Sequence, residues 1–83
     1  MTRLLFFGAV RDAAGLAERE IALPSTVSTI HALRAWLSAD DAILGAALAA
    51  PGVQVAVDQE IVRAEASISG AAEIAFMSPM SGG

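Results

Sequence analysis

The hydrophobic and polar positions of this chain fall into short blocks that predict strands first, then helices, then strands again. Residues 4–7 form an apolar, aromatic run followed by glycine, as expected for a buried strand. Residues 18–23 end in a polar-apolar alternation and stop at Pro24, which indicates a second strand. A turn near residues 13–15 would join the two strands, so the chain is predicted to open with a β-hairpin.

Apolar residues spaced three and four apart predict two helices in the middle of the chain. The first follows Pro24, with Ser25 or Thr26 as its N-terminal cap. Its apolar stripe consists of Val27, Ile30, Leu33 and Leu37. The second helix is shorter and begins near Asp40 and Asp41, because adjacent carboxylates at such a place ordinarily cap a helix rather than bind a metal.

The last third of the chain again has the pattern of strands. Residues 53–57 alternate cleanly, residues 58–60 have the composition of a tight turn, and residues 61–62 resume an extended pattern. A final strand is predicted at residues 73–77, before Pro79, which lacks the amide donor of a sheet ladder. This order predicts one α+β domain, residues 1–83, with helices packed on one face of a mixed sheet of about five strands.

Composition and charge exclude several classes of function. The chain has 83 residues, 55% of them hydrophobic, and a formal net charge of -4 with arginine as its only strong base, which argues against nucleic-acid binding. It has no cysteine and one histidine, so a thiol nucleophile, a disulfide and a metal site are not expected. The apolar run at residues 4–10 is far shorter than the roughly 20 residues that span a bilayer. A soluble, cytoplasmic protein without a membrane partner is therefore expected.

The end of the sequence offers the clearest candidate for chemistry. Gly82 and Gly83 close the chain, and residues 78–83 are predicted to form a flexible tail. Because glycine has no Cβ, such an end can enter a channel too narrow for side chains. A terminal carboxylate can attack the α-phosphate of ATP to give an acyl-adenylate, which a sulfur or nitrogen nucleophile then opens. The alternative is a frayed end that has no function.

Taken together, these segments resemble the small subunit of molybdopterin synthase, the MoaD family of ubiquitin-like β-grasp sulfur carriers. The resemblance rests on residues 5–11, on the main helix, on residues 56–62 and on the closing segments 73–76 and 79–83. The chain departs from the family at Ser78-Pro79, where paired prolines are common, at Met77, where an aromatic residue is frequent, and at Asp58, where asparagine is usual.

The resemblance implies a non-catalytic sulfur donor. An E1-like adenylyltransferase that uses ATP and Mg²⁺ would activate Gly83, and a sulfurtransferase would supply the sulfur of a thiocarboxylate. The chain itself would bind no cofactor. The end would then enter the large, catalytic subunit of a heterotetramer and deliver sulfur to cyclic pyranopterin monophosphate. The residues threaded into the partner would be Pro79, Met80, Ser81 and Gly82.

The period of the last strand adds candidates for a partner interface. Only one of Phe76 and Met77 can face inward, and we predict that Met77 is a contact residue, with Ile61 beside it on the neighbouring strand. Arg11 either steadies a strand end or pairs with an acidic group of a partner. Two other readings stay open, namely a related carrier for thiamine thiazole or cysteine synthesis and a β-grasp interaction module that is never activated.

Overall fold

Five strands and three helices make up the part of the chain that the computed structural model describes, residues 1–78. The strands are β1 (Thr2–Phe7), β2 (Glu18–Ile21), β3 (Gln54–Val57), β4 (Glu60–Val62) and β5 (Glu73–Met77). The helices are α1 (Ala9–Ala14), α2 (Ile30–Asp40) and α3 (Ala42–Leu48). The strands form one sheet in the order β2-β1-β5-β3-β4, in which β1 and β5 are parallel and every other pair is antiparallel. The predicted α+β class with a mixed five-stranded sheet is confirmed.

The connection between the first two strands differs from the prediction. Strands β1 and β2 do pair in antiparallel register, but α1 joins them where a simple turn near residues 13–15 was expected. Of the six residues of α1, only Val10 is buried, so the helix has too little apolar periodicity to be recognised from sequence. Gly8 and Gly15 bracket the helix with φ of 65° and 78°, and the amide of Gly15 donates to the carbonyl of Arg11.

Helix α2 begins later than predicted. Its N-cap is Thr29, whose Oγ1 accepts a hydrogen bond from the amide of Ala32 at 3.1 Å, whereas Ser25 and Thr26 lie in a preceding turn. Tertiary contacts set this start, because the amides of Ile30 and His31 donate to carbonyls of the segment before β5. Helix α3 begins as predicted, after Asp41, whose Oδ1 accepts from the amides of Ile43 and Leu44, each at 3.1 Å.

Helices α2 and α3 cover one face of the sheet, and the core lies between the two layers. Phe6 and Phe76, on the parallel central strands, stack with ring centroids 6.0 Å apart and planes at 13°. The other residues of the core with less than 2% exposure are Leu4, Val10, Ile30, Leu33, Leu37, Leu48, Ile68 and Ile74. The predicted stripe of α2 is buried, although Val27 lies before the helix.

Asp58 connects the β3-β4 hairpin to the central strand β5. Asp58 and Gln59 form the two-residue turn, and both have positive φ, 49° and 72°. The Oδ1 of Asp58 accepts hydrogen bonds from the amides of Ala72 and Glu73, each at 3.0 Å. The backbone amide of Asp58 donates to the carbonyl of Glu73 at 2.9 Å. The residue therefore fixes the hairpin against the start of β5.

Candidate functional site

The predicted reactive end begins at the centre of the sheet. Strands β1 and β5 are parallel neighbours and end side by side, with Phe7 opposite Met77. Ser78 follows Met77 directly and is the last described residue. The predicted threading and reaction residues, Pro79, Met80, Ser81, Gly82 and Gly83, lie outside the described residues, so their roles stay predictions.

Ser78, which the sequence analysis counted with the tail, is held against the junction between β1 and α1. Its Oγ accepts a hydrogen bond from the amide of Ala9 at 2.7 Å and donates one to the carbonyl oxygen of Phe7 at 3.0 Å. The amide nitrogen of Ser78 lies 3.5 Å from the same carbonyl oxygen. We refer to the two side-chain hydrogen bonds as the Ser78 anchor.

Gly8 makes the Ser78 anchor possible. It separates Phe7 from Ala9, and its φ of 65° is a conformation that residues with a Cβ rarely adopt. A Cβ on Gly8 would clash with the Oγ of Ser78. Gly8 also has no side chain with which to cap α1, so the hydroxyl of Ser78 takes the first free amide of that helix.

The face of the sheet opposite the helices carries an apolar patch beside Ser78. Strand alternation and register place its members on one face, with Phe7 and Met77 at the end where β1 and β5 stop. We call the apolar members of this face the outer patch: Leu5, Phe7, Ala56, Ile61, Ala75 and Met77. The exposed Gln54, opposite Met77, is a polar neighbour of the patch. Phe7 is 49% exposed and Ile61 57% exposed, while Met77 is half-buried. Large exposed apolar residues grouped on one face are typical of interaction surfaces.

The structure brings Met77 and Ile61 onto the same face but not onto adjacent strands. Ile61 lies on β4, which pairs with β3, and β3 separates β4 from β5. The prediction that Ile61 lies on the strand next to Met77 was therefore wrong. The order of strands in a sheet depends on long-range pairing, which the local pattern of residues 58–77 does not contain.

Arg11 lies on α1 and is exposed. Within residues 1–78 the structure has a single ion pair, between Nε of Arg3 and Oε2 of Glu18 at 3.8 Å, so Arg11 is not part of one. Its side chain does not belong to the outer patch. Arg11 remains a predicted partner contact, in a place separate from Met77 and Ile61.

The outer face changes character away from Ser78. At the opposite end of the central strands, Arg3 lies between Glu20 on β2 and Glu73 on β5, and Glu18 lies beside Leu5. Three carboxylates and one guanidinium leave this end acidic. A partner that covers the whole face would therefore need apolar groups near Ser78 and basic groups near β2.

Within residues 1–78 no three histidine, aspartate or glutamate side chains are grouped closely enough to hold a metal ion. None of the helices in that range is long and apolar enough to cross a membrane.

Sequence reasoning found Met77 and Ile61 but missed Leu5, Phe7 and the anchoring role of Ser78. The apolar run at residues 4–7 indicated burial on both faces, whereas Leu5 and Phe7 turn to the outer face. The sequence did contain a feature that could have pointed to Ser78, because this position has serine where proline is common in the family that the chain resembles.

Comparisons with known proteins bear on the family and the fold of the chain. The family model described as ThiS family matches residues 4–83. No curated protein sequence matches the chain significantly. The crystal structure of SAMP1 from Haloferax volcanii is similar, with a TM-score of 0.80 and 16% sequence identity over 99% of this chain and 98% of that chain. This likeness shows the fold, a ubiquitin-like β-grasp, and confirms the predicted fold class.

Proposed function

The chain belongs to the ThiS family of ubiquitin-like sulfur carriers, and from this premise we propose that it carries sulfur as a thiocarboxylate on Gly83, as the small subunit of molybdopterin synthase. The observation that carries the sulfur-carrier part of the proposal is the extent of the family match, which runs from residue 4 to residue 83. The match covers the body as well as the closing diglycine, so the proposal does not depend on the two glycines alone.

The composition of the chain supports a carboxyl as the sulfur-bearing group. The sequence has no cysteine, so no side-chain thiol is present to carry a persulfide. In the proposed route the carboxylate of Gly83 attacks the α-phosphorus of ATP and pyrophosphate leaves. A donor of sulfide-level sulfur then attacks the acyl carbon and AMP leaves, which gives the thiocarboxylate. In each transfer the thiocarboxylate sulfur forms a bond to a carbon of the acceptor and displaces a leaving group there. Water then hydrolyses the resulting thioester, which leaves the sulfur on the acceptor and regenerates the carboxylate of Gly83.

The large subunit is the proposed partner of the outer patch. The patch adjoins Ser78, from which residues 79–83 continue, so a subunit seated on it receives the chain end at its own active site. The thiocarboxylate then reacts at high effective concentration with cyclic pyranopterin monophosphate. In this proposal the partner supplies the acid-base groups, and the carrier is non-catalytic, binds no cofactor and works in the cytoplasm.

The molybdopterin branch is favoured by Phe6-Phe7 and by residues 76–83, which resemble that branch more than the shorter thiamine carriers. The match to a model described as ThiS family favours a second candidate, a sulfur donor for thiamine thiazole synthesis. Reconstitution separates the two. The thiocarboxylated chain is expected to yield molybdopterin with the large synthase subunit and cyclic pyranopterin monophosphate, and to yield no thiazole with a thiazole synthase. The reverse result would support the second candidate.

Activation itself is tested by the intact mass of protein isolated from its native host. We expect a fraction whose mass corresponds to one oxygen replaced by sulfur at Gly83. A chain without Gly83 should not be adenylated, while its thermal unfolding should match that of the unaltered chain, because one terminal residue adds little packing. An unmodified end in every preparation, or molybdopterin synthesis by the shortened chain, would contradict the proposal.

A further inference from the structure

The hydroxyl of Ser78 joins two backbone groups on either side of Gly8. It accepts from the amide of Ala9 and donates to the carbonyl of Phe7, at 2.7 and 3.0 Å. Both partners lie about 70 positions earlier in the chain, so these contacts are tertiary and not part of the local conformation of β5. The hydroxyl uses its donor and an acceptor site at the same time.

The anchor comes at the last position before the segment that the proposed function requires. Only residues 79–83 separate Ser78 from the end of the chain. Five residues span at most about 17 Å when fully extended. Because this segment is short, a displacement of Ser78 changes the positions that the carboxyl of Gly83 can occupy. A partner active site that binds the segment bearing Gly83 would therefore bind it more readily when Ser78 is held in a fixed position.

On the basis of the proposed function, we propose that Ser78 is a positioning residue, which fixes the position of the backbone to which the segment bearing Gly83 is attached. Proline at this position would restrict φ but would offer neither a hydroxyl nor an amide donor. Serine instead fastens the backbone to β1 and α1 through its side chain. Gly8 is the complementary residue, because its missing Cβ leaves room for the Oγ of Ser78.

The Ser78 anchor is expected to affect binding of the carrier to the activating enzyme and not the rate of the chemical step. When the start of the segment is ordered beforehand, the activating enzyme does not have to order it during association. Replacement of Ser78 by alanine removes both hydrogen bonds and leaves the reacting carboxyl unchanged. We expect the KM for the carrier to rise by about fivefold, with kcat within about twofold of the original value.

The experiment measures ATP–pyrophosphate exchange by the E1-like adenylyltransferase of the same host as a function of carrier concentration. Ser78→Ala is compared with Ser78→Thr, which keeps the hydroxyl and should return KM to within about twofold of the original. The matched control is Thr29→Ala, which also removes one side-chain cap of a helix amide, but on α2. It should lower stability to a similar extent and leave KM unchanged.

Hydrogen exchange of the Ala9 amide tests the anchor without any enzyme. This amide should exchange about fivefold faster in Ser78→Ala, the equivalent of one ordinary hydrogen bond. Unchanged exchange, an unchanged KM, or an equal rise in KM for Thr29→Ala would overturn the inference while the proposed function stands. An unaltered chain that the enzyme does not adenylate would overturn both.

Discussion

Asp58 shows how one side chain can join parts of a sheet that are distant in sequence. Its carboxylate accepts from two amides at the start of β5, while its own backbone holds a positive φ in the hairpin turn. We expect Asp58→Ala to lower the free energy of unfolding by about 2 kcal/mol, since two amides lose a charged acceptor and alanine tolerates positive φ poorly. Urea denaturation of the whole chain measures this change.

Two variants separate the causes of that loss. Asp58→Asn keeps the Oδ1 acceptor and suits positive φ, so it should cost less than about 1 kcal/mol. Gln59→Ala replaces the other turn residue of positive φ, whose side chain has no hydrogen bond within residues 1–78. Gln59→Ala should lower the free energy of unfolding by less than Asp58→Ala does. The difference should equal the contribution of the two hydrogen bonds that the Asp58 carboxylate accepts. Equal losses for both alanine variants would mean that the carboxylate contributes nothing.

The elements show which parts of the fold could be predicted from sequence. Strand β5 was predicted with its observed bounds, because its apolar run ends at a proline signal. Helix α1 was missed because it buries only Val10. The start of α2 was missed because carbonyls of the segment before β5 select Thr29 over Ser25 and Thr26 as the cap. Local patterns therefore identified elements with a long apolar face, whereas long-range contacts decided the rest.

The same division holds for the candidate site. Alternation along β5 placed Met77 away from the core, and the register confirms it. The neighbours of Met77 on the outer face depend on strand order, which sequence did not give correctly. The Ser78 anchor depends on β1 and β5 ending side by side, a fact that emerges only from the parallel pairing.

Gly45 governs how α2 and α3 pack. It lies buried within α3, and a Cβ at this position would come within 2.8 Å of the Cα of Ser38 on α2. Glycine in a helix normally costs about 1 kcal/mol relative to alanine, so propensity alone predicts that Gly45→Ala stabilises the chain. We expect the opposite, a loss of about 1–3 kcal/mol, because backbone would have to move. Thermal unfolding shows whether Gly45→Ala raises or lowers the stability of the chain.

The neighbouring exposed position supplies the control for Gly45. Ala46→Gly, on the same helix, should cost about 1 kcal/mol from propensity alone. If Gly45→Ala instead raised stability by that amount, the close approach of the two helices would not exist in solution.

The sheet formed by the described residues has a core face and an exposed outer face. Phe6, Phe76 and Ile74 point to the helices, while alternate residues of the same strands form the outer patch. Charged residues occupy the far end of that face, around Arg3. The apolar end thus lies next to Ser78, and in the proposed function the large subunit would contact this end. If the outer patch is the docking surface, as proposed, we expect substitutions there to change partner binding without a large change in stability.

Two isoleucines of similar exposure test this separation. Ile61 belongs to the outer patch and is 57% exposed, whereas Ile43 is 73% exposed on α3, in the layer on the other side of the sheet. Ile61→Glu should weaken binding of the large synthase subunit by at least about tenfold, because the complex would bury an unpaired charge against apolar groups. Ile43→Glu introduces the same charge outside the interface and should leave the affinity unchanged.

Isothermal titration calorimetry with the large subunit gives both affinities, and thermal unfolding serves as the stability readout. Neither variant should shift the unfolding midpoint by more than about 4 °C, since surface substitutions rarely change stability by more than about 0.5 kcal/mol. Equal affinities for Ile61→Glu and the unaltered chain would exclude the outer patch as the docking surface. A loss confined to Ile43→Glu would place that surface on the helical layer, away from the end where β1, β5 and Ser78 meet.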